Sequence, residues 1–143
     1  MRRQDKFPDT DSFCFYNANP HNRFTTDCVA RALAMATDPL FYNAIVRELA
    51  EIQIKTGFDT SDPHCYGRWL EQHGFTKQSQ PRKPDGKKYT GKEFCELLKR
   101  EGETRPIVAH LGGNHVVAIH GYKVCDTWDS TDGCIGNYWI KRG

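Results

Sequence analysis

The chain has 143 residues, 38% hydrophobic, 12% aromatic and 27% charged, which supports one buried core and is too short for two ordinary domains. Its formal net charge of +2 balances 20 Lys and Arg against 18 Asp and Glu, so it lacks the basic excess of a dedicated nucleic-acid binder. No apolar run reaches the ~18 residues of a membrane span, and the charged Met1–Pro8 stretch lacks the apolar centre of a secretion signal. The expectation is therefore a single cytoplasmic domain over residues 1–143, with no membrane or nucleic-acid partner.

Residues 1–26 are rich in Asn, Asp, Pro and aromatics without a steady period, which predicts an irregular arm laid on the domain. A helix is expected from Asp27 or Cys28, with Val29, Leu33 and Ala36 forming an apolar stripe. In Thr37-Asp38-Pro39, Asp38 can cap and Pro39 suits a first helical position, opening a second helix to about Lys55 that stops at Gly57. Ser61-Asp62-Pro63 repeats that grammar for a third helix, which carries Tyr66, Trp69 and Leu70 and ends at Gly74. Gln78–Lys88 is a basic, proline-bearing surface loop, readable either as a solvated face or as a contact for an acidic partner. Thr90-Gly91-Lys92-Glu93 is a capping box opening a fourth helix with Phe94, Leu97 and Leu98 inward.

From Pro106 the hydrophobic period shortens. Ile107–Leu111 and His115–His120 are β-branched runs bounded by glycines, Lys123–Trp128 follows a tight turn, and Asn137–Lys141 is a last strand. Helices first and strands last predict an α+β domain, N-terminal helices packed on a C-terminal antiparallel sheet.

The six cysteines are an even number, but in a reducing compartment they stay free thiols. Six His beside them raise the idea of zinc. No pair has the close spacing of a zinc knuckle, and His110, His115 and His120 do not share one strand face, so no metal or cofactor is expected.

The chemistry-bearing residue is Cys28. At a helix N-terminus, free backbone N–H groups and the positive end of the macrodipole favour thiolate over thiol. A two-residue turn at Gly121-Tyr122 pairs His120 with Lys123 and brings Val117 opposite Asp126 and His115 opposite Trp128. Period-two alternation then puts His115, Val117, Asp126 and Trp128 on one face, with Asp126 a diagonal neighbour of His115 at ~7–8 Å between backbones. Such a carboxylate holds one ring nitrogen and leaves the other to take a thiol proton. Asp129 is a rival acid of the wrong parity, and His110 and His120 are rival bases. The Cys28 N–H is a natural oxyanion donor, and the side-chain amide of Asn22, six residues upstream, is a second candidate.

The order Cys28, His115, Asp126, with Asp27-Cys28 opening a helix and a His-led apolar strand followed by a glycine turn and an Asp-bearing strand, resembles the papain-like cysteine peptidases, especially their compact bacterial members. The resemblance implies a thiol hydrolase acting on a peptide, isopeptide or other amide of a peptide or protein substrate. It also implies an amide side chain about six residues before the nucleophile in the oxyanion hole, usually Gln where this chain has Asn22. Asp27–Ala32, Gln80–Thr90 and Asp126–Ser130 are in addition similar to small proteins of bacteria and their phages, which implies a phage or prophage origin and no function. A non-catalytic binding module on the same fold is the alternative reading. Trp69 and Trp139 read as core, and Trp128, opposite His115, as a wall of the site.

Overall fold

A computed structural model describes residues 1–143. In chain order the elements are α1 (Arg3–Lys6), β1 (Phe13–Phe15), α2 (Cys28–Ala36), a 3₁₀ turn (Pro39–Phe41), α3 (Tyr42–Thr56), α4 (Pro63–Gln72), β2 (Phe75–Gln78), α5 (Gly91–Glu101), β3 (Ile107–Leu111), β4 (His115–His120), β5 (Lys123–Asp126) and β6 (Ile135–Lys141). The fold is mixed α+β around one sheet of order β1-β5-β4-β3-β6-β2.

Local chemistry sets the helix ends. Asp38 and Asp62 each accept a backbone N–H two residues on, from Leu40 and His64, and each precedes a proline that needs no partner there. Gly57 and Gly102 close α3 and α5 in the left-handed conformation that glycine adopts without a Cβ clash. At the start of α5 the Thr90 hydroxyl accepts the Glu93 N–H at 3.2 Å, and the Glu93 carboxylate accepts the Thr90 N–H at 3.0 Å. Thr90→Ala removes one arm of this box and is expected to cost about 1 kcal/mol in urea denaturation.

Both faces of the sheet are covered. On one side α2, α3 and α4 pack Leu33, Ile45, Leu49, Tyr66 and Leu70 against Val108, Val116, Ala118 and Trp139 of the strands. On the other, α5 sets Phe94, Cys95 and Leu98 against Val117, Ile119, Val124 and Ile135. Ala30, Ala32, Ala34 and Ala36 let α2 lie close on β4, which carries its N-terminus to the start of that strand.

Several expectations are corrected. The sheet is not purely antiparallel, because β1, inside the segment expected to be irregular, pairs parallel to β5 with Phe13, Cys14 and Phe15 opposite Val124, Cys125 and Asp126. A strand of three residues offers no period to read, and it is held by partners more than a hundred positions away. The loop at 78–88 is not merely solvated. Its first residue ends β2, the Gln80 side chain donates to Ile135 O at 2.8 Å, Arg82 bridges Lys88, and Lys83 pairs with Glu93. β5 stops at Asp126, two residues short of Trp128, while β6 begins at Ile135, two residues before Asn137.

The hairpin register follows the sequence reading, with His120 opposite Lys123 and Ala118 opposite Cys125. Gly121 and Tyr122 have φ of 59° and 64°, so both central residues are left-handed, as a type I′ turn requires.

Candidate active site

α2 delivers Cys28 as its first residue, half-buried, with Asp27 as the N-cap. The Asp27 side chain does not cap, which leaves the first-turn N–H groups to act on the thiol. The His115 ring and the Val116 N–H lie close enough to the thiol to pull its pKa down. His115 opens β4, and its Nε2 meets Asp126 Oδ2 at 2.5 Å, so Nδ1 is the ring nitrogen left for sulfur. The Trp128 ring lies 4.9 Å from the imidazole, tilted by 39°.

These contacts shift the two pKa values in opposite directions, each toward its charged form. Burial alone raises a thiol pKa, yet the hydrogen bonds from His115 and Val116 and the charges of His115 and Arg31 outweigh it and hold Cys28 below its ordinary value. Burial alone likewise disfavours an imidazolium, but hydrogen bonds to Asp126 and Cys28 push His115 up to about 9. Both shifts favour a thiolate facing an imidazolium.

Asp126 is 3% exposed, and polar groups satisfy both of its carboxylate oxygens. Oδ1 accepts from Arg31 Nη1 at 2.5 Å and from the Thr127 N–H at 2.7 Å, while Oδ2 holds His115. Arg31, itself 8% exposed, donates from Nε to Asp27 Oδ1 at 2.8 Å. Asp27 Oδ2 in turn accepts from Asn19 Nδ2 at 3.0 Å and Tyr42 OH at 2.5 Å. A buried row of alternating charge thus runs Asp27, Arg31, Asp126, His115, Cys28. Arg31 was not singled out from the sequence as part of the site. Its signal was a lone cation in the otherwise uncharged Cys28–Ala36 helix, four residues after Asp27. The Tyr66 hydroxyl, buried without a hydrogen-bond partner, lies near enough that the Cys28 charge adds to the upward push of burial on its pKa.

The residues meet by a different route from the one strand parity suggests. Val117 and Ile119 pack toward α5, whereas Val116 and Ala118 pack toward α2, so His115 belongs by alternation to the α5 side. The β4–β5 ladder ends at Ala118 and Cys125, one pair before Val117 and Asp126. Beyond that point the strands no longer pair, and the His115 and Asp126 side chains meet at the end of the sheet beside the α2 N-terminus, not on a face of it.

The structure does not gather the other candidates. Asn22 lies in an exposed turn with φ 53°, its N–H bonded to Asn19 O at 2.9 Å and its side-chain amide unbonded. The neighbouring asparagines shape that loop instead, Asn17 donating to Arg23 O and Asn19 to Asp27. Asp129 is occupied by Thr131 within its own turn. His110 packs against Gly136, and His120 is exposed at the hairpin end.

Arm and loops wall the site. Arg3 donates to Thr127 O at 2.7 Å and its guanidinium sits 5.0 Å over the Phe24 ring, tying the loop before Cys28 to the loop after Asp126. A crevice of about 10 Å³, no bigger than one water, separates Cys28, Ala32 and Met35 from Val116, Cys125 and Asp126. A larger cavity, about 510 Å³, lies elsewhere, between α5 and the arm near Lys92, Lys99, Asp11 and Asp132. No group of three or more His, Cys, Asp or Glu is arranged to hold a metal ion, and no helix is long and apolar enough to cross a membrane.

Comparison of the chain with protein-family models, with curated proteins and with solved structures finds no match.

Proposed function

We propose that the protein is a papain-like thiol hydrolase that cleaves an amide bond of a peptide or protein through Cys28, His115 and Asp126. The observation that carries this reading is the contact of a helix-N-terminal thiol with an imidazole whose far nitrogen is held by a buried carboxylate. Asp126 fixes the ring so that Nδ1 faces sulfur and stabilises the charge the ring acquires.

In the first step the Cys28 thiolate attacks the carbonyl carbon, forming a C–S bond while the carbonyl electron pair moves to oxygen. The Cys28 N–H faces that oxygen, and each well-placed donor of this kind contributes about 3–4 kcal/mol. Collapse breaks the C–N bond, and the His115 imidazolium gives its Nδ1 proton to the departing amine. Neutral His115 then takes a proton from water, which attacks the thioester, and release of the acid regenerates thiolate and imidazolium. Water as the acyl acceptor makes a hydrolase, whereas an amine in its place makes a transferase by the same first half.

The test is the pH dependence of iodoacetamide labelling, followed by peptide mass spectrometry for each of the six cysteines. Cys28, with a lowered pKa, is expected to begin labelling at lower pH than buried Cys95 and Cys125, with an inflection near the His115 pKa of about 9. Amide cleavage needs imidazolium as the acid, so its rate is expected to rise through the Cys28 pKa and fall above about 9. Labelling of Cys28 that merely tracks exposed Cys134 sinks the proposal. Fast labelling without cleavage of any peptide library leaves the binding module as the reading.

A further inference from the structure

β1 and β5 run parallel, and their register sets Cys14 directly opposite Cys125. Directly opposed residues of neighbouring strands project to the same face, so the two side chains stand about one strand spacing apart, ~4.8 Å. Both thiols are free, and Cys14 lies near enough to add to the upward push of burial on the Cys125 thiol. Cys14 is half-exposed, Cys125 is buried, and the residue after Cys125 is the site carboxylate Asp126. β1 also holds that carboxylate's backbone, since Tyr16 N–H donates to Asp126 O at 2.9 Å.

We propose that Cys14 and Cys125 are a reversible oxidation site, closed to a disulfide by a peroxide, and that closure displaces Asp126 from His115. The chemistry balances with peroxide as the oxidant. The Cys14 thiolate attacks a peroxide oxygen, the O–O bond breaks, and the products are a Cys14 sulfenic acid and hydroxide. The Cys125 sulfur then attacks the sulfenic sulfur, the S–O bond breaks, and the hydroxyl leaves with the Cys125 proton as water. Two thiols lose two electrons and one peroxide becomes two waters.

The order of events follows from exposure. Burial pushes the Cys125 thiol up to about 12, so it does not meet the oxidant first, and half-exposed Cys14 does. Once Cys14 is a sulfenic acid, the thiol directly opposite it in the ladder is Cys125. Closure is not free of distortion. A disulfide brings Cβ atoms to ~3.8 Å, about 1 Å nearer than the strand spacing allows, and bonds formed under such distortion reduce readily. That pull acts one residue from the 2.5 Å contact of Asp126 with His115. The disulfide is therefore a switch and not a permanent staple.

The coupling to His115 deepens the hydrolase reading, while formation of the bond is independent of it, and the experiment keeps the two apart by using Cys28→Ala. That variant is treated with hydrogen peroxide and mapped by non-reducing peptide mass spectrometry, with and without dithiothreitol. A Cys14–Cys125 linked peptide is expected, reversed by dithiothreitol and absent in Cys14→Ser. A Cys14 stopped at sulfinic acid, or linked to Cys95 instead, overturns the proposal. His115 ring titration by NMR in the same variant reads the coupling, with the imidazole pKa expected to fall by at least half a unit on oxidation, the shift of a weakened Asp126 contact. A bridge that forms and leaves the His115 titration unmoved overturns the coupling. Ordinary labelling of Cys28 in the wild type overturns the hydrolase reading and leaves the bridge standing.

Discussion

His115→Ala is expected to slow iodoacetamide labelling of Cys28 at pH 7 by tens of fold, and amide cleavage by 10²-fold to 10⁴-fold, the ~10²–10⁴ range of a general acid–base. The reason lies in the balance at sulfur. Burial pushes the Cys28 thiol up, and the His115 hydrogen bond and charge are the main groups pulling it down. Without the ring, burial is opposed only by the Val116 N–H, the helix N-terminus and Arg31, and the thiol pKa rises. Asp126→Asn tests the link behind it. The ring then loses the charged partner that raises its pKa, so the upper limb of the pH–rate profile moves down from about 9 toward the ordinary histidine range. A His115→Ala protein that labels at the wild-type rate removes the ground for any nucleophile here.

Arg31→Met is expected to be the most destabilising single change at the site, by about 3–5 kcal/mol, read as a lower midpoint in guanidinium denaturation. The Arg31, Asp27 and Asp126 side chains are 9%, 14% and 4% exposed, so removing the cation leaves two carboxylates shielded from water with no charge between them. The sign of the pH dependence follows. Asp27, held below its ordinary value against burial partly by Arg31, loses that pull and takes up a proton more readily as pH falls. The deficit of Arg31→Met is expected to be large at pH 8 and to shrink toward pH 5. Arg31→Lys, with one ammonium in place of a fork reaching both Asp27 and Asp126, recovers only part of the loss. A midpoint unchanged in Arg31→Met means the two ion pairs contribute nothing net to folding.

How far the sequence was legible follows the range of each interaction. Caps at Asp38, Asp62 and Thr90 act on backbone two or three residues away, and their chemistry can be read in place. The β4–β5 register was legible for the same reason, since a two-residue turn determines which residues face each other. β1 and β2 were not legible, because Phe13–Phe15 and Phe75–Gln78 are too short to show alternation and are strands only by virtue of β5 and β6. At the site, chain order and helix position pointed to Cys28, His115 and Asp126, and the structure places the three together. Parity could not foresee that they meet past the end of the ladder, and Arg31 was hidden inside an apolar run. The amide of Asn22 is not brought into any hydrogen bond.

The Arg31–Asp126 contact spans 95 positions of the chain. A ribosome adding roughly 5–20 residues per second leaves α2 waiting about 5–20 s for the strand that neutralises it. Throughout that interval the nascent polypeptide carries Cys28 without its imidazole, beside a guanidinium whose carboxylate partner is Asp27 alone. The imidazole and its carboxylate arrive only in the last fifth of translation, so a product terminated before His115 lacks the base of the site.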